Sequence, residues 1–336
     1  MAPSHSGKTP VTPPVPRTVP LTMRAVAIDD AGGPEMLTVH QLPVPRIDDH
    51  EVLIAVDTAG VGSWDPAIRA GWWPEGRPRF PLVLGTDGAG TIVATGARVR
   101  RLKVRDKVYG YSWLSPKGGF YAEFAAVEAS KAALIPAGLE LREAGAMPAT
   151  ALTALQGIDN ALRIKQGDTL IIHGASGGVG TLAVQFAKWR GARVFATASG
   201  TDGAELVRDL GADEAIDGRQ GDITAAIRRF APDGVDAVFA LAGGEPLERC
   251  LDALRPDGRL AYPNGVEPEP LKRPGLRVVS YDAVADVGEL ELLNEAIEAT
   301  RLRVVIAEEY PLGQAAKAHE RLEAGHVLGK IVLRIR

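Results

Sequence analysis

The stretch "TLIIHGASGGVGTLAVQFAKWRGARVFATA" constrains the fold of this chain more than any other. An apolar run from Leu170 to Ile172 leads into Gly174, Ala175, Ser176, Gly177, Gly178, Val179 and Gly180, then into an amphipathic helix and a second β-type run that starts at Arg193. Glycine at such a turn lets the backbone approach a pyrophosphate, whose charge is held by free amides and the positive end of the following helix. A glycine motif alone would say little. Strand, turn, helix and second strand in this order predict a dinucleotide-binding unit.

The sequence around the motif extends that unit. "EAIDG", "DAVFALA" and "GRLAYPNG" read as further strands, and "DGAELVRDLG", "ITAAIRRFA" and "PLERCLDALR" as the helices between them. Repeats of this length imply parallel strands joined by right-handed crossovers, the doubly wound α/β Rossmann architecture. "LRVVSYD" adds a sixth strand at the sheet edge, left open for pairing across a two-fold axis in a homodimer. "ELELLNEAIEAT" and "YPLGQAAKAHERLEAGHVLGKIVLRI" then give helix, strand, helix and strand outside the Rossmann pattern, a return toward the first half.

That first half differs in period. From Met23 to about Leu134, short β-type runs ("RAVAI", "EVLIAV", "AGTIVATG", "DKVYGY", "FYAEFAAV") are broken by Gly, Pro and Asp, predicting an antiparallel barrel-like domain. The expected organisation is a Pro-rich disordered extension over 1–22, a catalytic domain over 23–147, the nucleotide domain over 148–283, and a return to the catalytic domain over 284–336. At 336 residues and 46% apolar content the chain can fill two cores.

Composition excludes several function classes. A net charge of -4 gives no basic field for nucleic acid or an anionic membrane. "VRRLKVRDK" reads as a solvated loop and strand, without the interleaved aromatics of a single-strand platform. No apolar run approaches the roughly 18 residues that span a bilayer, and the N-terminus lacks the apolar segment of an export signal, so a cytoplasmic protein is expected. The single cysteine, Cys250, rules out an intrachain disulfide and reads as a packed thiol in a helix.

"ASGGVG" with "LGADEAID", preceded by "PLVLGTDGAG" and closed by "GKIVL", resembles the medium-chain dehydrogenase/reductase superfamily from Met23 to Arg336, near its zinc-independent quinone oxidoreductases. The resemblance implies a GroES-like catalytic domain with the Rossmann domain inserted. The zinc branch of that family binds its metal through a cysteine in an early "GVC", a His-Glu pair in "GHE" and a later cysteine. Those positions here read Gly62, Thr86 with Asp87, and Ala149, and one hard oxygen is not a zinc site. No metal is therefore expected, and without a Lewis acid the remaining chemistry is hydride donation to an acceptor already electrophilic.

For the cofactor, the second strand of the nucleotide unit ends at Ala198, Ser199 and Gly200, with no acid to bind a ribose 2′-hydroxyl. That favours NADP over NAD, although the family's usual 2′-phosphate residues, a lysine and a tyrosine, are replaced by Gly203 and Gly218. The resemblance places Thr153 at the nicotinamide end, and Leu241, Ala242, Gly243, Asn264 and Gly265 along the cofactor. Lys330 is read either as an exposed strand lysine or as a contact to cofactor phosphate.

The chain is only 5% aromatic, yet Trp64, Trp72, Trp73, Tyr109, Tyr111, Trp113, Phe120 and Tyr121 fall in one region. Trp64, Trp72, Tyr109 and Trp113 are the candidate substrate residues, flat rings suited to planar acceptors. Tyr111, or solvent, is the candidate proton source after hydride arrives, and Asp65 either orients a water or hydroxyl or caps the turn before Pro66. His173, just after the first strand of the unit, reads as a packed strand end.

The function expected is a zinc-independent NADPH-dependent reductase of a quinone or an α,β-unsaturated carbonyl. The alternatives are an enoyl reductase acting on a carrier- or CoA-bound acyl chain, and a non-catalytic NADPH-binding protein.

Overall fold

Thr169–His173 is buried at every residue and lies at the centre of a six-stranded parallel sheet. The strands run in the order Glu214–Asp217, Arg193–Ala198, Thr169–His173, Val235–Ala240, Leu254–Pro263 and Arg277–Tyr281. Numbered along the chain this is 3-2-1-4-5-6, so the order reverses between Thr169–His173 and Val235–Ala240. Ligands of such sheets bind in the crevice outside the carboxyl ends of the two strands at that switch point. The crossover helices form where predicted, at Gly178–Trp189, Gly200–Asp209, Ile223–Phe230 and Glu245–Leu251. Asp222 caps the third of these by accepting the Ala225 amide at 3.0 Å.

The computed structural model describes residues 19–74 and 76–336. Most of the predicted N-terminal extension thus lies outside the described residues, but Thr22 is already part of the first strand, Thr22–Ile28, paired with Thr38–Pro43. The latter strand and the short Leu82–Val83 and Ala132–Leu134 went unpredicted, because their few residues carry little apolar alternation.

The rest of the first half is a seven-stranded sheet built on one long strand, Glu51–Val61. One edge of that strand pairs with Asp87–Thr95. Its other edge serves two partners, Phe124–Glu128 along residues 51–55 and Lys330–Arg334 along residues 58–61. The expected barrel-like domain shows no closed strand order among the described residues. The seven-stranded sheet ends at Ile306–Pro311 and Ala132–Leu134, and a separate three-stranded sheet joins it only through a bridge between Ala25 and Ala122.

The C-terminal strand crosses from one half to the other. Gly329 bridges to Gly177 in the glycine turn, its amide bonding the Ser176 carbonyl at 2.9 Å, and the next residue, Lys330, starts the strand that pairs with Glu51–Val61. One buried apolar cluster also spans the seam, from Ala89 and Tyr109 through Met147 and Leu152 to Ile172 and Phe186. The cleft between the halves thus has a continuous packed floor.

Candidate active site

The nucleotide wall of the cleft is mostly backbone. Gly174 turns the chain with φ of +80°, a conformation that favours glycine, with Leu241 and Ala242 beside it. Gly180 packs the helix against the turn so closely that a Cβ would stand 2.5 Å from Ala175 Cα. Around Gly177, by contrast, a Cβ would meet nothing nearer than 3.7 Å, and no side chain caps the helix Gly178–Trp189 that follows. An open backbone surface at an uncapped helix start fits an anionic diphosphate. Ala175 and Ser176 are buried, and the Ser176 hydroxyl accepts the Ser199 amide at 3.1 Å. The Ala175 amide is itself held by the Thr197 carbonyl at 2.9 Å.

The other predicted cofactor residues stand at the carboxyl ends of the same strands. Leu241, Ala242 and Gly243 follow Val235–Ala240, and Asn264 and Gly265 follow Leu254–Pro263, with the Asn264 amide held by the Tyr281 carbonyl at 2.9 Å. Thr153 sits on the helix Pro148–Gln156, its hydroxyl donating to the Ala149 carbonyl at 2.8 Å. Ser199 Oγ bonds Nδ1 of His326 at 3.0 Å, and Nε2 of the same ring meets Asp202 at 3.0 Å. His326 comes from the C-terminal segment, which the sequence offered no reason to place there.

His173, behind the turn, is a packed strand end as expected. Its Nδ1 lies 2.7 Å from Thr197 Oγ1, and burial pushes its pKa down to about 4, so the ring is neutral. Cys250 packs beside it, and burial pushes that thiol up to about 12, which makes it a poor nucleophile.

The acceptor wall is made of side chains. Trp64, Trp113 and Trp72 come together as predicted, with ring centroids 6.1 Å apart for the first pair and 6.0 Å for Trp72 and Trp113. Trp73 instead packs on Phe80 at 5.7 Å. The Trp64 indole lies over Gly62, where any Cβ would collide with it, and its Nε1 donates to Thr86 Oγ1 at 2.6 Å. Tyr111 is part-buried and pairs across the sheet with Asp87. Burial, and then the charges of Asp87 and Asp282, raise its phenol to about 12.

Three predicted roles need correction. Tyr109 is not a substrate residue, because it is fully buried in the core with its hydroxyl on Asn294 Oδ1 at 2.7 Å. Strand alternation put Tyr109 and Tyr111 on one face, but only Tyr111 reaches the end of the strand, where the cleft opens. Asp65 is 1% exposed and cannot touch an acceptor. Its Oδ2 accepts the Gly62 amide at 2.9 Å and the Tyr121 hydroxyl at 2.8 Å, while Oδ1 has no partner. Burial pushes its pKa up to about 7. Lys330 is buried rather than exposed, and its ammonium donates to the Val61 carbonyl at 3.0 Å. Its stem lies over Gly178, so it spans from the glycine turn to the pair of acids, Asp65 and Asp87.

Sequence reasoning also missed what lies beneath this wall. Tyr121 Oη is 3.1 Å from His319 Nε2, His319 Nδ1 is 3.1 Å from Arg69 Nη1, and Arg69 pairs with Glu323 at 2.9 Å. A signal was present, since Asp65 and Arg69, and again His319 and Glu323, are spaced four apart and share a helix face.

The positions that hold zinc in metal-bearing dehydrogenases do not fit a divalent ion here. Gly62 and Ala149 offer no donor side chain, and Thr86 is engaged by Trp64. Asp87 Oδ2 is engaged by the Ala149 amide at 2.8 Å. Among the described residues no three His, Cys, Asp or Glu are grouped to hold a metal.

A Rossmann sheet with an open glycine turn, bridged at Gly177 by the segment that returns to a second sheet, is the frame of a nucleotide-dependent oxidoreductase. Residues 48–137 match the alcohol dehydrogenase GroES-like domain, and residues 210–333 match the zinc-binding dehydrogenase family. The chain is 31% identical over 328 residues to mouse quinone oxidoreductase, covering 93% of this chain and 97% of the relative. It is 32% identical over 326 residues to the chloroplastic NADPH-dependent alkenal/one oxidoreductase of Arabidopsis thaliana, covering 94% of this chain and 80% of that one. The structure of Escherichia coli quinone oxidoreductase complexed with NADPH superposes with a TM-score of 0.82 at 26% identity, over 93% of this chain and 100% of the other. The chain belongs to the medium-chain dehydrogenase/reductase superfamily, and within it to the quinone oxidoreductase-like branch.

Proposed function

We propose that this chain transfers a hydride from NADPH to a quinone or an α,β-unsaturated carbonyl, without zinc. The observation that carries the reading is the pairing of the two walls. An open backbone cradle lies at the sheet's switch point, three indoles cluster in the other half, and one of them covers Gly62, the position at which the zinc branch has a cysteine. NADPH, bound along the carboxyl ends of the strands, supplies the hydride.

The rest is positioning by the protein. The amides that open the helix Gly178–Trp189, and the helix behind them, take the diphosphate. Ser199, not an acid, follows the second strand at the adenosine end, and of the nearby carboxylates Asp217 Oδ1 accepts the amides of Gly200 and Arg219 while Asp202 holds His326. A relative named for NADPH and a neighbour complexed with it support the phosphorylated cofactor. Thr153, Leu241, Ala242, Gly243, Asn264 and Gly265 line the remaining length, with Lys330 beneath. Trp64, Trp113 and Trp72 stack a planar acceptor and exclude water. With its pKa raised, Tyr111 stays protonated at neutral pH, and its hydroxyl donates a hydrogen bond to the acceptor oxygen.

The same reading makes the protein a cytoplasmic homodimer. The edge strand Arg277–Tyr281 exposes Val278 and Val279, as a strand paired across a two-fold axis would in a lone chain. Sedimentation at micromolar concentration tests this, and a monomer rejects it. Among the described residues no helix is long and apolar enough to cross a membrane.

The test of the activity is loss of NADPH absorbance on adding a naphthoquinone, an aryl enone or an enoyl thioester, with and without a chelator. Turnover of the first two that ignores the chelator is expected. Turnover of the thioester alone would replace this reading with that of an enoyl reductase.

A further inference from the structure

The helix Asp65–Arg69 is five residues long, too short to hold its shape unaided. It nevertheless directs the residue just before it, Trp64, into the acceptor wall. What fixes it is a buried clasp on both of its ends, closed by a helix about 250 residues away in sequence, Ala315–Glu323.

The clasp can be followed atom by atom. Gly62 and Asp65 form a doubly bonded turn, the Gly62 amide on Asp65 Oδ2 at 2.9 Å and the Asp65 amide on the Gly62 carbonyl at 3.1 Å. The Tyr121 hydroxyl donates to the same Oδ2 at 2.8 Å. At the other end of the short helix, Arg69 donates to Glu323, to His319 Nδ1 and to the Gly32 carbonyl. A guanidinium only donates, so Nδ1 accepts, and the proton of this neutral ring sits on Nε2, which donates to the Tyr121 oxygen. Burial, and then the Arg69 charge, hold the ring neutral by lowering its pKa to about 3. The Arg69, His319 and Tyr121 donors of this run thus each have an acceptor, while Asp65 Oδ1 has no partner. The Tyr121 and His319 rings also meet edge to face, 5.9 Å apart.

We infer that Tyr121 and His319 are positioning residues for the acceptor, holding Asp65 and the Gly62 turn so that the Trp64 indole lies over Gly62 and against Thr86. Neither residue touches the cleft, and both act through Trp64. The inference rests on the proposed function only in taking Trp64 as part of the acceptor site.

The experiment uses the full chain labelled with 5-fluorotryptophan, the Trp64 resonance being identified by its loss in Trp64→Phe. Tyr121→Phe keeps the ring volume and removes the hydroxyl. It should shift the Trp64 resonance, leave that of Trp189 in the nucleotide domain in place, and raise the acceptor KM about tenfold with kcat and the NADPH Kd within about twofold. His319→Leu should do the same, and His319→Gln, which restores a donor toward Tyr121, should recover most of the loss. A network serving stability alone would lower Tm and leave the resonance and KM where they were. That result in either Tyr121→Phe or His319→Leu overturns the inference, as does a parallel rise in acceptor KM and NADPH Kd. If the unmodified protein turns over no acceptor, the proposed function fails, while the fluorine spectra still decide whether the clasp sets Trp64.

Discussion

The two walls of the cleft are built from different materials. On the nucleotide side, consecutive residues from Gly174 to Gly180 present backbone and almost no side chains, and the space around Gly177 is open. On the acceptor side, residues from five separate stretches of chain bring together three indoles, a phenol, two buried acids and a buried lysine. Backbone offers the same donors whatever the residue, so the first wall can recognise only a shared element such as a diphosphate. The second wall can vary with each side chain, and it is where acceptor choice and sensitivity to pH must reside.

The sharpest way to break this contrast is to put a charge into the backbone wall. Gly177→Asp has room for its side chain in an extended conformation, so the fold and Tm should hold, while repulsion of the diphosphate raises the Kd for NADPH by about a hundredfold or more. Calorimetric titration checks it, and an unchanged Kd would remove the cradle from the account.

On the other wall, Tyr111→Phe should leave NADPH binding intact and lower kcat by roughly tenfold to a hundredfold, the cost of one hydrogen bond to the acceptor oxygen. Steady-state kinetics with a quinone and an enone measures the effect. Equal losses in NADPH affinity would put Tyr111 on the wrong wall.

Asp65 makes the acceptor wall respond to pH in a stated direction. Its folded pKa is raised from the ordinary 3.8 to about 7, so the native chain holds a proton that the unfolded chain releases. The stability this gives is complete below the unfolded pKa and is lost as pH rises through about 7. Wild-type Tm should therefore fall from about pH 4 to about pH 7, and Asp65→Asn, which has no such proton, should lessen that fall, Asp87, whose carboxyl burial also raises, contributing the remainder. Parallel profiles in thermal melts would show that Asp65 is not the group responsible.

The smallest effect expected is at the lip. Trp72 is 51% exposed, and Trp72→Ala should raise KM for a bicyclic quinone by about threefold while barely moving that for a short aliphatic enone. Equal shifts for the two would deny it a stacking role.

The same contrast explains what could be read from the sequence. The Rossmann strands, their helices and the edge strand "LRVVSYD" were legible because each is an unbroken apolar period, and the turn from Gly174 to Gly180 because its function is local. The return of the chain through "GKIVL" was also legible, but not that it would bury Lys330 beneath the cleft. Tyr109 and Tyr111 are indistinguishable by alternation, and only the pairing of Asp87 with Tyr111 at the strand end separates their roles. The clasp of Arg69, His319 and Tyr121 could not be assembled from the sequence, because its members are as many as 250 residues apart and the four-residue spacings within each helix do not say which helices meet. Where the sheets of the barrel-like half end was not legible either, since runs of short strands show alternation and not where the ladder stops.

The central claim is that a backbone cradle delivers NADPH to a cleft in which side chains alone, with no metal, prepare the acceptor. A single-turnover reaction tests it most directly, with chelator-treated protein of measured metal content mixed with one equivalent of NADPH and excess naphthoquinone. The account predicts full oxidation of the nucleotide at a rate that added zinc does not change. Oxidation that stops after chelation and returns with stoichiometric zinc would contradict it.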